Sequence, residues 1–519
     1  MSIDQEPGSE KTGHPAPEPA PFQDKVSDAA DIPAPVNEYP AAIRAAGRSV
    51  WLRRTLSLSQ KEAVASATMT ATGDNFFNAF AVYLQATAMQ MGLLTAIPQL
   101  CGAALQLTSA WLGNYLPRKP MVVITAAIQA IVVCALAILA ILRPTNSVIW
   151  LTGLAVLYFG CTNFIQPQWR AWMGGLVPQR RRGAFFAART RLTMIASLVV
   201  FAGGGALLSF SATLQATWAG FALLFSIAVI GRSMSARLLY LMHDPDPRPH
   251  PERRKGFRQS MLQLYESLHD RTFRDYSLFV AGMQGVVAIS APFFAVYMLN
   301  DLGFTYFQYS LNAIASIITQ FMTLGFWGRF TDKYGNRIVM QFCCLTIPLI
   351  PILWMLSPNF YYLLMVQMVS GLVWSAFSLS TANYLYDIRP QRSDFAVYAA
   401  TQSALGALAV FCGAIIGGII AAMAPSFVQW SGVSTGTQSW LISPLFLVFS
   451  VTTLLRMSVA VWFLPRAREP RTRHRPRFLQ VVYRISRFNA ITGVSLDWLS
   501  IARKKDDNTE STDKTDNKP

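Results

Sequence analysis

Phe80-Ala81-Val82-Tyr83-Leu84 and Phe294-Ala295-Val296-Tyr297-Met298 are near-copies of one pentapeptide, placed far apart in the same chain. Each copy lies at the end of an apolar run of about twenty residues, which is long enough to cross the hydrocarbon core of a bilayer as a helix. The recurrence of one pentapeptide at the same place in two such runs indicates that the chain contains two similar halves.

Further sequence matches support the repeat. Two more pairs occur at nearly the same spacing: Pro178-Gln179-Arg180 with Pro390-Gln391-Arg392, and Phe225-Ser226-Ile227 followed by Arg232 with Phe449-Ser450-Val451 followed by Arg456. Because six apolar runs separate the copies, both halves have the same orientation in the membrane. This arrangement is a parallel repeat.

Composition agrees with a chain that lies mostly in lipid. Hydrophobic residues make up 52% of the 519 residues and charged residues only 14%, whereas soluble proteins carry about 25% charged residues. The alternating strands of a membrane β-barrel are not found. We therefore predict an all-α, polytopic membrane protein with 12 transmembrane helices in two six-helix bundles. The apolar runs lie at about 62–85, 91–112, 120–142, 148–168, 186–209, 216–241, 277–299, 305–327, 338–356, 360–386, 396–423 and 440–464.

The net charge of +17 has a topological explanation. Lys and Arg cluster in every second connection, whereas the other connections hold one, Arg143. Basic loops face the cytoplasm, so this asymmetry predicts a cell inner membrane protein with both termini cytoplasmic. It also removes the reason to expect a nucleic-acid partner.

The domain organisation follows from these runs. We predict a disordered cytoplasmic tail at 1–60, an N-terminal bundle at 61–242, a linker at 243–275, a C-terminal bundle at 276–465 and a basic tail at 466–519. The linker and the last tail each contain an amphipathic basic segment, which predicts a helix lying on anionic membrane lipids.

One loop of the second half carries a recognisable motif. It reads Gly328-Arg329-Phe330-Thr331-Asp332-Lys333-Tyr334-Gly335-Asn336-Arg337. This resembles the cytoplasmic loop signature of the major facilitator superfamily, and the end of the fourth run resembles bacterial permeases of unassigned substrate.

The resemblance implies two six-helix bundles that work by alternating access. It also implies a conformational latch that stabilises the outward-facing state, formed by Gly328, Asp332, Lys333, Gly335 and Arg337. We expect Asp332 to contact the residues near 394–397. In the first half the corresponding acid is replaced by Asn114, so that half lacks the charged latch.

The first run contains the candidate functional acid, Asp74. Ser66, Thr70, Asp74 and Asn78 recur every four residues and share one helix face. An acid within a membrane span is costly and is therefore a functional candidate. Asp74 would bind a cationic group or couple transport to protons; the alternative is a structural hydrogen bond to a neighbouring helix.

Other polar residues in the runs are weaker candidates for substrate contact. They are Asn163 and Gln166 in the fourth run, Gln284 in the seventh and Asn312 in the eighth. We expect Asp387 to form a gate with an arginine of the 178–182 loop. Arg232 and Arg456 are expected to reach the membrane surface or to pair between domains.

These features predict a transporter of a small molecule that works by alternating access. It would be driven by a proton gradient through Asp74 or would work by facilitated diffusion. The alternative is a non-transporting membrane scaffold that acts through its tails. No nucleophile, metal-ligand spacing or cofactor motif is found, so we predict no enzyme, no metal and no cofactor. We expect a monomer, and the mostly apolar spans favour a neutral or cationic substrate.

Overall fold

The computed structural model describes residues 41–113, 115–177, 182–244, 257–388, 395–430 and 443–466. The chain divides into two units, Met1–Trp51 and Leu52–Pro519. The described part of the first unit, which starts at Ala41, is helical. All other elements belong to the second unit, and the packing described below is that of the second unit.

Every regular element in the described ranges is a helix, as predicted. The helices of the N-terminal half are α1 (Ala41–Thr72), α2 (Phe77–Tyr83), α3 (Ala88–Leu112), α4 (Arg118–Leu142), α5 (Ser147–Leu176), α6 (Arg182–Thr213) and α7 (Thr217–Leu241). Those that follow are α8 (Phe257–Ser267), α9 (Arg271–Val296), α10 (Tyr306–Tyr334), α11 (Asn336–Thr346), α12 (Leu349–Met355), α13 (Phe360–Ile388), α14 (Phe395–Trp430) and α15 (Leu445–Phe463). The helices α9–α15 form the C-terminal half.

Ten segments of the described chain are long and apolar enough to cross a membrane, with α11 and α12 counted as one. The long helices α1 and α10 are not among the ten. Both segments carry many polar side chains. Examples are Glu62 in α1, Asp74 just after α1, and Asn312 and Gln320 in α10. The predicted total of twelve spans therefore stays a prediction.

The first helix begins much earlier than the sequence suggested. Residues 41–60, which we assigned to a disordered tail, form the first turns of α1. The amphipathic linker segment is helical as expected and forms α8, whose Ser267 Oγ lies 2.9 Å from Thr401 Oγ1 in α14. The amphipathic segment of the basic tail, like residues 1–40, lies outside the described residues.

Glycines allow the longest helices of the C-terminal half to pack closely. A methyl group at Gly413 of α14 would collide with the carbonyl oxygen of Gly285 in α9, and one at Gly417 would collide with that of Ile289. Small residues are the usual means of bringing membrane helices together. Gly413 and Gly417 therefore allow α14 to pack closely against α9.

The helices have two ends that differ in charge. We call the end with the connections 113–117, 177–182 and 334–336 the basic end. The opposite end, with the connections 84–87 and 302–305, is called the neutral end.

The two halves contact each other near the neutral end. A Cβ atom at Gly92 of α3 would lie 2.6 Å from the carbonyl oxygen of Ala414 in α14. The backbone N–H of Phe307 donates to Ser209 Oγ over 2.8 Å. The Tyr309 hydroxyl donates to the Asn75 carbonyl oxygen over 3.1 Å. These contacts join α3 to α14, α6 to α10, and α10 to the break in the first span.

Candidate functional site

The first membrane helix is broken at the predicted functional acid. Helix α1 ends at Thr72, residues Asp74–Phe76 form a short 3-10 turn, and α2 begins at Phe77. A Cβ at Gly73 would lie 3.2 Å from the Tyr158 hydroxyl oxygen of α5, so a glycine is needed for this approach. Broken helices place backbone and side-chain polar groups at midmembrane sites in transporters.

Asp74 lies in a tight polar environment at this break. Its carboxyl group is beside the Tyr158 hydroxyl and interacts with it electrostatically. Its Oδ1 atom is buried and has no hydrogen-bond partner among the described residues. A buried oxygen without a partner is rare in folded proteins and requires an explanation. A protonated carboxyl group could donate to the neighbouring Tyr158 hydroxyl oxygen, and a cationic ligand group could donate to Oδ1.

A cavity of about 300 Å³ lies within the N-terminal half, on the basic-end side of this break. We call it the N-half cavity. Ser66 and Thr70 line it from α1, and Gln166 and Arg170 line it from α5. The predicted polar stripe therefore begins in this cavity.

A buried charged cluster forms one wall of the N-half cavity. Glu62 of α1 pairs with the Arg189 guanidinium of α6, and its Oε1 accepts a 3.0 Å hydrogen bond from Ser235 Oγ of α7. Arg232 donates to the same serine hydroxyl over 3.2 Å. Arg189 also stacks over the Trp169 ring at 4.3 Å. The cluster connects α1, α5, α6 and α7.

This cluster corrects two expectations from the sequence. Asp74 is not the sole acid inside the helices, because Glu62 is only 3% exposed. Arg232 does not reach the membrane surface, since it is 4% exposed and lies beside Glu62 and Ser235. The burial of Glu62 was not predicted, because this residue lies at the predicted start of the first apolar run. The helix actually begins at Ala41, which places Glu62 well inside it.

A second cavity, of about 320 Å³, is shared by the two halves, and we call it the Arg456 cavity. Asn78 lines it from the N-terminal half, one turn beyond Asp74. The C-terminal half contributes most of the other lining residues, among them Arg456 of α15, Gln367 and Trp374 of α13 and Trp354 of α12. The polar stripe of the first span therefore runs from the N-half cavity, past Asp74, into the Arg456 cavity.

A third cavity, of about 300 Å³, lies within the C-terminal half. Gln284 of α9, Gln402 and Ser403 of α14, and Thr381 of α13 line it. Gln284 also abuts Gly406, at which a Cβ would collide with the Gln284 amide oxygen. Gln284 therefore lines a cavity, but not the one that Asn78 lines.

Two of the predicted substrate contacts lie away from these cavities. The Asn163 amide donates to the Phe159 carbonyl oxygen over 2.9 Å and packs against Gly102 of α3. Asn312 is fully buried, and neither side-chain atom has a partner among the described residues. The six predicted residues thus occupy several places: Asp74 at the break, Asn78, Gln166 and Gln284 at three cavities, and Asn163 and Asn312 between helices.

The acid of the predicted latch has no partner among the residues that the structure describes. Asp332 is exposed and takes part in no hydrogen bond or ion pair among the described residues. Gly335 ends α10 with φ +91°, a conformation that glycine adopts without strain. Gly328 does not mediate a close helix contact, because a Cβ there would lie 4.0 Å from the nearest atom, Leu379 Cδ2.

The structure describes the surroundings of the predicted latch in part. The Lys333 side chain and residues 389–394, which include the expected partner region, lie outside what the structure describes. Arg337 is half-buried next to the turn. Asp387 accepts a 2.7 Å hydrogen bond from the Asn336 amide within the same half. The side chains of the arginines in the 178–182 loop lie outside what the structure describes, so the gate between them and Asp387 stays a prediction.

Comparisons with known proteins agree with this architecture. The family model described as Major Facilitator Superfamily matches residues 63–295 and again 276–505. A search among curated proteins returned no match. The solved bacterial homologue of the human lysosomal transporter Spinster, in an inward-facing and occupied conformation, is 15% identical, with a TM-score of 0.59 over 81% of this chain and 96% of the other.

A second solved structure, the nucleoside transporter NupG, is 12% identical, with a TM-score of 0.56 over 79% of this chain and 98% of the other. At these identities the likeness concerns the fold. The family match covers both halves and most of the described helices. The chain is thus a multi-pass membrane protein that belongs to the Major Facilitator Superfamily.

Proposed function

We propose that this protein is a secondary transporter that moves a small molecule by alternating access. The observation that carries the proposal is the polar stripe of the first span: its Ser66 and Thr70 line a cavity of the N-terminal half, and its Asn78 lines one shared by both halves. Rocking of two similar bundles about such a midmembrane site is the general mechanism of this kind of repeat protein. The family match and the transporter names of both structural neighbours support it.

The charge of the loops supports the assignment of the observed conformation as inward-open. If the basic end faces the cytoplasm, the contacts Gly92–Ala414 and Ser209–Phe307 close the outer side. Asp332 at the basic end has no ion pair among the described residues, which fits the same state because the latch of the family belongs to the outward-facing one. We propose the cell inner membrane as the location, with both termini cytoplasmic and a monomer as the working unit.

Asp74 is the proposed coupling residue. It lies where α1 breaks, with an unpartnered buried oxygen, between the two cavities. A carboxyl group in this position can be protonated from one cavity and deprotonated into the other as the bundles move. Proton relays in membrane transporters use acids placed in this way.

A scaffold that acts through its tails is the alternative function. A scaffold does not need buried polar groups such as Asp74 and the Glu62 cluster, which are expensive to keep inside a membrane bundle. An enzyme would need a reactive set of side chains, and the described cavities are lined by amides, hydroxyls and separate charges. These observations favour transport.

Reconstitution of the full chain into proteoliposomes tests the proposal. Solutes are added outside, and the internal pH and solute content are followed for the wild type, Asp74→Asn and the surface variant Asp275→Asn. We expect a transported solute to move protons in the wild type and in Asp275→Asn, and to move without protons or not at all in Asp74→Asn. Proton movement that is equal in all three proteins contradicts the coupling role, and absence of any solute movement contradicts transport.

A further inference from the structure

We propose that the Arg456 cavity binds the anionic group of the transported solute, and that the solute is an aromatic or apolar organic carboxylate. This inference rests on the proposed function, whose site it specifies. It replaces the neutral or cationic substrate that the apolar composition of the spans favoured. It depends on three observations, namely the bonding of Arg456, the contrast with its repeat partner Arg232, and the lining of the cavity.

Arg456 is a buried cation without an acid. It is 2% exposed in the middle of α15. Its guanidinium donates to Ser290 Oγ over 3.0 Å and to the Ile347 carbonyl oxygen over 3.3 Å, both neutral acceptors. Its Nε has no partner in the described part of the chain. No carboxylate among the described residues forms an ion pair with it.

The repeat partner of Arg456 lies near an acid of the chain itself. Arg232 occupies the matching position of α7 and lies beside the Glu62 carboxylate, with Ser235 bonded to both. The spacing between the repeated pentapeptides, from Phe80 to Phe294, also relates Glu62 to Tyr276. The Tyr276 hydroxyl donates to the Thr381 carbonyl oxygen over 2.6 Å. The C-terminal half has therefore kept the arginine but has no acid in the matching place.

A buried charge without a counter-charge is destabilising, and proteins seldom retain one for structure alone. An anionic ligand would supply the missing partner. Charge-assisted hydrogen bonds from a guanidinium to a carboxylate are short, planar and among the strongest in proteins. The guanidinium of Arg456 lines the cavity, and its buried Nε–H has no acceptor among the described residues.

The lining of the cavity indicates what the rest of the solute is like. Phe294, Trp354 and Trp374 supply aromatic surface, and the Asn78 and Gln367 amides supply hydrogen bonds. A volume of about 320 Å³ suits a small aromatic molecule. Because Asn78 belongs to the other half, a ligand held by Arg456 contacts both bundles.

Binding to the purified full-length chain in detergent tests this assignment. The probes are indole-3-acetate and 3-phenylpropionate, each compared with its neutral primary amide by calorimetry. We expect the wild type to bind at least one carboxylate roughly tenfold more tightly than its amide. In Arg456→Gln the affinity for the carboxylate should fall to that for the amide, while Arg466→Gln, at the exposed end of the same segment, should behave as the wild type.

Further variants separate a binding role from a structural one. Arg456→Lys keeps the charge, so a reduced preference for the carboxylate should remain if Arg456→Gln does not fold. The melting temperature of ligand-free Arg456→Gln should be equal to or higher than that of the wild type, because an uncompensated charge is removed. A lower melting temperature with an unchanged preference overturns the inference, as does the absence of carboxylate binding to the wild type at about 1 mM.

These outcomes are distinguishable from a failure of the proposed function. Binding that depends on Arg456, without movement of the same probe into proteoliposomes, contradicts transport and leaves the anion site standing. Transport of neutral solutes alone, without any preference for carboxylates, contradicts the anion site and leaves transport standing.

Discussion

Replacing Glu62 by glutamine removes the acid that pairs with Arg189 and lies beside the buried Arg232, while keeping the size of the side chain. Glu62 is 3% exposed, pairs with Arg189 and lies beside Arg232. The glutamine can still accept the hydrogen bond from Ser235 Oγ, so the main loss is the charge. Removing one partner of a buried ion pair costs about 3–5 kcal/mol, because the other charge stays buried without compensation.

The chain offers a matched control for this variant. Asp275 lies 3.9 Å from Arg274 in a pair whose side chains are 19% and 47% exposed, so solvent reaches both partners. Such surface pairs contribute about 0–1 kcal/mol. Asp275→Asn should therefore leave the stability almost unchanged, although it makes the same chemical substitution of an amide for a carboxylate.

Thermal unfolding of purified protein in one detergent, combined with unfolding in increasing sodium dodecyl sulfate, compares the two variants. We expect Glu62→Gln to lower the free energy of unfolding by about 3–5 kcal/mol. The additional substitution Arg189→Gln should restore part of the loss, because it removes one of the charges left without a partner. Equal stability of Glu62→Gln and Asp275→Asn would refute the assignment of Glu62 as the neutralising acid of the N-terminal half.

Three more predictions concern the turn, the contact between halves and the tail. Gly335→Ala should lower the free energy of unfolding by about 1–3 kcal/mol in the same assay, because Gly335 has φ +91° and ψ 158°; an unchanged stability would contradict the turn geometry. A disulfide between cysteines placed at Ser209 and Phe307, whose hydrogen bond joins the halves, should stop solute uptake into proteoliposomes until it is reduced; uptake by fully cross-linked protein would contradict the moving contact. Deletion of residues 467–519 should leave uptake intact if the protein is a transporter, whereas the scaffold alternative predicts loss of function in cells.

Much of the fold was predictable because it depends on local patterns. The pentapeptides at Phe80 and Phe294 occupy equivalent positions in the two halves, and the turn at Gly335 ends α10 as its motif predicts. Long apolar runs determine where helices lie even when the partners are unknown. The start of α1 at Ala41 was not predictable in this way, since its first turns are polar.

The site was less predictable, because it depends on which face of each helix meets which neighbour. Asn163 and Gln166 share one helix, yet one packs against Gly102 and the other faces the N-half cavity. The burial of Glu62 and Arg456 follows from contacts between helices distant in sequence. The sequence shows that Arg232 and Arg456 occupy matching positions in the two halves. It does not show that an acid lies near Arg232, whereas Arg456 has no ion pair among the described residues.

The two glycines Gly92 and Gly153 allow the central claim, alternating access, to be tested directly. A side chain at Gly92 meets the Ala414 carbonyl oxygen in the contact that closes the neutral end. At Gly153 a Cβ meets nothing within 4 Å, so valine there is a control. Overpacking at such a contact costs about 1–3 kcal/mol, enough to shift a two-state population several-fold.

The measurement is the distance across the basic end in liposomes, by electron paramagnetic resonance between spin labels at the exposed residues Leu116 and Tyr386. The labels are attached to a chain whose native cysteines have been replaced. Alternating access predicts that Gly92→Val opens the neutral end and shifts the label distances towards shorter values, while Gly153→Val leaves them unchanged. Folded Gly92→Val protein with the distance distribution of the wild type would contradict the account.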